Sequence, residues 1–558
     1  MKLGILFCST LLCPVAFAAT GGTNSPVSTP SDSAIPHLRR QGAATQLIVD
    51  GKPFLALAGE LLNDSATSIE HTKPIWPKLV ESHFNTALAG VSWAQTEPAP
   101  GKFDFTVLDG IIQGARSHNL HLVLLWFGSW KNSTSSYAPD WMKKDSERFP
   151  RAQAAGGGSI ELLTPFSDAS RDADAAAFAA LMRHVKQMDG RQHTVIMIQV
   201  ENEAGMHADS RDHSPAANQA LAGPAPWELM DYIQRHKDAL IPEFRNVWEA
   251  AGFKTSGTWE EVFGQSKVTD GIFMAWYLAR YIGFVAAAGK AEYPLPMFVN
   301  AALYGTGTGP QPASGGRPWD LVMDVWKAAA PQIDMLSPDI YSERDFPAFC
   351  AKYTQSGNPL FIPETGGGPT IAARALYAFG RYDAIGISPF GIDRPDRLGN
   401  SPDLAGVYDL LSQLAPLISE HQGNGTMSAV LLSSNDPTRN IQVGDYTLRT
   451  AYWPIRYTMP LLMPGEPPPG PRPPAAALFI ATGPDEYFAA GCGVKVTFAP
   501  NTPGPPFAGL GTVEEGTFVK GRWVPGIRLA GDDTAQGANL FELQRHLGIQ
   551  RFTLYRYR

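Results

Sequence analysis

Eight short runs of almost unbroken apolar residues, each followed by a longer helix-like segment, constrain this 558-residue chain more than any other feature. The runs are 55–59 (LALAG), 86–91 (TALAGV), 121–126 (HLVLLW) and 195–200 (VIMIQV), then 297–301 (MFVNA), 333–337 (IDMLS), 359–362 (PLFI) and 384–388 (AIGIS). A strand with one wet face alternates apolar and polar residues, whereas continuous runs belong to strands covered on both faces. Between the runs the period changes to that of a helix. In 168–189, Phe178, Leu181, Met182, Val185 and Met188 share one face, with Ser167, Asp168 or Ser170 available as the N-cap. Trp76, Leu79, Val80 and Phe84 repeat the pattern, and 404–418 closes the series. Eight β/α units in a row predict an α/β fold, a (β/α)8 TIM barrel. A doubly wound sheet is the alternative, but no Gly-rich nucleotide turn or Walker lysine follows any run.

The segment 48–54 (IVDGKPF) reads as a small hairpin ahead of the first barrel strand. After Gly423 the texture becomes short β-prone runs, such as 429–432 and 495–498, separated by turns. The interval 463–474 holds seven prolines and cannot be helix or central strand, so it reads as a long loop. The resulting organisation is a signal peptide at 1–18, a flexible leader at 19–45, the barrel at 46–422 and a smaller all-β accessory domain at 423–558.

The signal reading rests on Lys2, an apolar stretch over 3–17, and the small-x-small pattern of Ala16, Phe17 and Ala18. Cys13 raises lipidation, but Leu12 before it is larger than a lipoprotein signal tolerates. With no later uninterrupted run of membrane-span length, the expectation is an exported protein free of the membrane once the signal is removed, periplasmic or else secreted. A net charge of −8 argues against nucleic acid as a partner. A homodimer is compatible with the reading. Two of the four cysteines leave with the signal; Cys350 and Cys492 fall in different predicted domains, which favours two buried free thiols over a disulfide.

Two glutamates stand at strand ends, where a barrel keeps its chemistry: Glu203 in VIMIQVENEAG and Glu364 in PLFIPETGGG. A paired carboxylic acid and carboxylate about 5 Å apart are the equipment for cleaving a glycosidic bond through a covalent intermediate. Their surroundings must push their acidities apart. Asn202 can bond a sugar hydroxyl beside the reacting carbon, and Tyr341 in SPDIY is placed to donate to the Glu364 carboxylate and hold it ionised. Glu201 lies two residues from Glu203, so strand alternation would point both the same way; a supporting role suits it. Trp130, Lys131 and Asn132 could offer a stacking wall and donors to a terminal sugar, and Trp93 with Glu97 could shape the same rim. Gly366, Gly367 and Gly368 would let the backbone turn close to that sugar. His207 and His213 follow Glu203 without the Asp/His array a metal would need, so no metal and no cofactor is expected.

Asn-Glu after the fourth strand with Glu after the seventh resembles the superfamily of retaining (β/α)8 glycoside hydrolases. IQVENE, FNTALAGVSW (84–93), EPAPGKFDF (97–105) and LVLLWFGSWKN (122–132) resemble the family 35 β-galactosidases over roughly 50–400, and the tail is similar to a β-domain of a bacterial subset. The resemblance implies Glu203 as acid/base, Glu364 as nucleophile, Asn202 and Tyr341 in contact with sugar and nucleophile, and Glu60, Asn63, Ser129 and Trp130 around a galactose. ELLND (60–64) and PETGGG depart from the eukaryotic members' motifs. The activity so implied is exo-acting release of terminal β-galactose, from plant xyloglucan for instance. The rivals are another retaining barrel glycosidase (β-glucosidase, β-mannosidase or endo-glucanase) and a carbohydrate-binding barrel without catalysis.

Overall fold

The computed structural model describes residues 35–206, 209–303, 315–394, 402–453, 474–531, 540–543 and 547–558, together with Met1. The signal-peptide expectation, most of the leader, most of the proline-rich interval and His207 lie outside the described residues.

All eight apolar runs are strands of one parallel sheet: Ala56–Glu60, Thr86–Ser92, His121–Lys131, Val195–Asn202, Met297–Ala302, Met335–Asp339, Phe361–Thr365 and Gly386–Pro389. Taken as first to eighth, their order in space is sixth, fifth, fourth, third, second, first, eighth, seventh. The sheet curls until the sixth and seventh meet through a parallel bridge between Ile340 and Thr365, where Ile340 N–H donates to Glu364 O at 2.9 Å. Along the third strand Leu122, Leu124 and Trp126 pack outward under the helices while Val123, Leu125 and Phe127 fill the barrel interior. Period-two alternation between two dry faces is why this run reads as unbroken apolar sequence.

A three-stranded antiparallel sheet, His37–Gln41, Ala44–Val49 and Lys52–Phe54, closes the end at which the strands begin. Leu47 and Val49 join the interior cluster, Phe54 meets His121 edge-on at 4.8 Å, and Asp50 binds the His193 ring at 2.8 Å. This sheet starts inside the stretch read as leader, so residues from His37 onward are structural. Only the opposite mouth, at the strands' C-terminal ends, is left for chemistry.

The helix Asp168–Asp189 is capped by Ser167, whose hydroxyl accepts from Ser170 N–H. It packs on Lys267–Glu292, and a Cβ at Gly289 would sit 2.2 Å from Phe178 Cε1, so glycine sets how closely these helices approach. By length and composition that second helix could cross a membrane, but 72 % of its apolar window is buried in the fold, as in a core helix. Val80, assigned above to a buried face, points outward instead: Ile75–Glu81 ends in the next turn, and its buried residues are Ile75, Trp76 and Leu79.

From Met427 onward the chain forms a six-stranded and a four-stranded antiparallel sheet, the all-β region expected. Ala475–Ala481 shows how they join: Ala476, Leu478 and Ile480 extend the barrel's core cluster, while Ala475, Ala477, Phe479 and Ala481 face the second sheet. A Cβ at Gly380, in the barrel helix Ile371–Tyr382, would lie 2.7 Å from Ala429 Cβ, so helix and sheet are in direct contact. Cys350 and Cys492 are free thiols, the first buried and the second half-buried.

Candidate active site

Six of the eight strands contribute a converging set of polar groups: Glu60 ends the first strand, Lys131 the third, Asn202 the fourth and Asp339 the sixth. Asn300 lies within the fifth strand and Glu364 within the seventh, while Glu203 follows the fourth directly and Tyr341 follows the sixth after one intervening residue, Ile340. All carry their side chains to the C-terminal mouth.

The carboxyl oxygens of Glu203, Asp339 and Glu364 lie within 4.8 Å of one another, and all three residues are buried. Glu364 is surrounded by donors. Asn202 Nδ2 and Asn300 Nδ2 each donate to Oε1 at 3.2 Å, and Tyr341 O–H donates to Oε2 at 2.7 Å. Three donors on one carboxylate fix its orientation. Lys131 Nζ donates to Asn202 Oδ1 at 2.8 Å, which settles the amide's orientation and turns its N–H groups toward Glu364.

Glu203 is held differently. Its backbone N–H donates to Asn300 Oδ1 at 2.8 Å, and its φ of 45° is in the left-handed region that glutamate rarely adopts. Such strain persists only where the surroundings hold it, and Asn300 is part of that hold. Burial first, and the Glu364 charge second, raise its carboxyl to about 7; Lys131, Asp339 and Arg317 partly offset the rise. Burial, with the charges of Glu364 and Glu203, also raises Asp339 well above the usual carboxylate range. Near neutrality Glu203 can therefore hold a proton that it is able to give up, beside a carboxylate fixed by three donors. The two carboxyls have the spacing of the retaining arrangement.

The remaining expectations divide. Tyr341 makes the predicted bond to Glu364. Asn202 touches Glu364 through the same amide that was expected to meet a sugar hydroxyl. Glu60 and Asn63 each keep a buried oxygen without a protein partner, and burial followed by the Glu364 charge raises the Glu60 carboxyl well above its ordinary value. Ser129 and Trp130 are placed behind the mouth. Ser129 O–H donates to Asp174 at 2.6 Å, and Trp130 is fully buried, its indole N–H on Leu163 O and its ring against Tyr281. Trp93 is also buried, donating to Glu97 at 2.7 Å, so that pair braces the loop. A Cβ at Gly368 would meet open space, and one at Gly366 only Arg374 at 3.8 Å, so this turn borders an open mouth. Glu201 and Glu203 do not share a direction: Glu201, with φ 62°, turns to the third strand. Sequence reasoning missed Asn300 and Asp339. A lone Asn inside an apolar run, and an Asp in the same SPDIY that holds Tyr341, were the available signals.

The site is thus a close pair of buried carboxyls at the mouth of an eight-stranded α/β barrel, and the sequence match is to β-galactosidases. Residues 70–262 match the β-galactosidase model of glycoside hydrolase family 42, and residues 404–541 match a domain of unknown function. The match is to family 42 and not to family 35, although the superfamily is the one expected. No curated protein is significantly similar. Among solved structures, the β-galactosidase from Rahnella sp. R3 is 16 % identical, with a TM-score of 0.43, over 66 % of this chain and 57 % of that one. The β-galactosidase from Bacillus circulans sp. alkalophilus is 16 % identical at a TM-score of 0.45, over 65 % and 57 %. The β-amylase catalytic domain from Paenibacillus polymyxa is 11 % identical at 0.44, over 63 % and 96 %. The chain spans 57 % of the length of both galactosidases, and overlaps this partial carry no argument about activity.

Proposed function

We propose that the protein is an exported, exo-acting, retaining β-galactosidase that removes terminal β-galactose from oligosaccharides or polysaccharide side chains, those of xyloglucan among them. The observation that carries this reading is the Glu203–Glu364 pair, its oxygens within 4.8 Å and its two members in opposite surroundings. Glu364 attacks the anomeric carbon and forms the glycosyl-enzyme while Glu203 gives its proton to the departing oxygen. Glu203, now a carboxylate, takes a proton from the incoming water, and the second displacement restores the β configuration.

The sugar is supported by the match of residues 70–262 to the β-galactosidase model. Export is supported by the pattern of residues 1–18. Glu60 and Asn63, with unpartnered buried oxygens, are the residues assigned to the galactose hydroxyls. A panel of aryl β-glycosides tests the proposal. Galactoside turnover should exceed that of glucoside and mannoside, and negligible galactoside turnover beside brisk turnover of another sugar would end the galactose assignment.

A further inference from the structure

The third and fourth barrel strands pair regularly from Val123 with Met197 to Trp126 with Val200, and again where Lys131 meets Asn202. Between those points the third strand spends five steps and the fourth only two, so Phe127–Trp130 bulge away from the ladder. Backbone N–H groups in a buried bulge need acceptors. Here the acceptor is a side chain: Glu201 Oε1 takes the Ser129 N–H at 3.1 Å and Oε2 takes the Trp130 N–H at 2.6 Å. Behind Glu201 lies Asp174, from the helix Asp168–Asp189. Asp174 accepts the Trp126 indole N–H at 2.9 Å and the Ser129 hydroxyl at 2.6 Å, and Ser129 in turn contacts Tyr281 O–H at 2.7 Å. Gly128 leaves room for the pair, since a Cβ there would lie 2.6 Å from Glu201 Oε1 and 2.3 Å from Trp126 Nε1.

We propose that Glu201 and Asp174 are a positioning pair, two hydrogen-bonded carboxyls sharing one proton, which clamps the fourth strand's end to the bulge and so sets Asn202 and Glu203. The reach to the bulge runs through the left-handed backbone at Glu201 and again at Glu203, φ 62° and 45°, an uncommon conformation that the clamp is placed to hold. Two ionised carboxylates in contact with each other, both buried, would repel strongly, and burial pushes both acids up, Glu201 well above its ordinary value with the Asp174 charge adding to the rise. The pair touches neither sugar nor reacting atoms; it acts through the two residues that follow it. It rests on the reading of Glu203 as acid/base and extends it to the group that places the acid.

Asp174→Asn keeps a donor to Glu201 without needing the shared proton, whereas Asp174→Ala removes the contact. Each variant is measured for kcat and KM, per active site counted by covalent trapping, on whichever aryl glycoside the wild type turns over best, and each is crystallised. The expected result is a fall in kcat of about 10- to 100-fold for Asp174→Ala, with KM within about threefold, and a return to within about threefold of wild-type kcat for Asp174→Asn. Crystals should show Asn202 and Glu203 displaced in the alanine variant and restored in the asparagine variant. An alanine variant that only melts earlier, with unchanged kcat per site and both side chains in place, would overturn the positioning role. A wild type that prefers another sugar sinks the galactosidase reading alone, because kcat on that sugar and the crystallographic comparison still decide this one.

Discussion

Replacing Glu203 by Gln should make the protein more stable, and only above a particular pH. In the wild type the folded carboxyl is raised from an ordinary value of 4.5 to about 7, by burial and by the Glu364 charge. Below pH 4.5 the folded and unfolded forms both carry the neutral acid, so nothing is lost there. As pH rises the unfolded chain ionises first, and stability falls through the interval up to about pH 7, above which the loss is complete. At about 1.4 kcal/mol for each tenfold change in acidity, that loss is roughly 3 kcal/mol. Glutamine is uncharged throughout and escapes it. With about 2 cal/mol/K of unfolding entropy per residue, a chain of this size converts the difference into an increase of about 3 °C in Tm. Calorimetry of both proteins at pH 4 and pH 8 provides the assay: near-equal Tm at pH 4, and the variant higher at pH 8. A Tm difference that is the same at both pH values would refute the argument that Glu203 is an acid held protonated by its site.

The same proton should appear in kinetics: kcat/KM on an unactivated galactoside falls above an apparent pKa near 7, and a flat profile from pH 5 to 9 would contradict the assignment. Tyr341→Phe removes a charge-assisted bond of 2.7 Å to Glu364 and should lower kcat by about 10- to 100-fold, equivalent to about 1.5–3 kcal/mol. Gly128→Ala forces a methyl against the Glu201 carboxylate and the Trp126 indole, and should destabilise the fold by about 1–3 kcal/mol, read as a lower Tm. Proton NMR of the first product formed should show the β anomer; the α anomer would indicate inversion and a different use of the carboxyl pair.

The barrel was legible because its strands are dry on both faces, and unbroken apolar runs such as VIMIQV have few other homes. The sixth and seventh strands start two residues later than the runs suggested, at Met335 and Phe361, and extend into the polar residues Asp339 and Glu364. Hydrophobicity marks a barrel strand's middle and misses the end that carries the chemistry. Glu203, Glu364 and Tyr341 could be found because a short motif places each just past such a run. Ser129 and Trp130 could not be placed that way, because a bulge in the third strand sends them behind the mouth. Alternation failed for Glu201 for a related reason: left-handed backbone at Glu201 and Glu203 is not written in two glutamates. Asp174 sits mid-helix among alanines, and only the folded structure brings it to Glu201.

The most direct test of the central claim is to trap the intermediate. A 2-deoxy-2-fluoro-β-galactoside with a good leaving group should label the enzyme once, and mass spectrometry of the digested protein should place the sugar on Glu364. A label on Glu203 or Asp339, or turnover by inversion with no covalent adduct, would contradict the account.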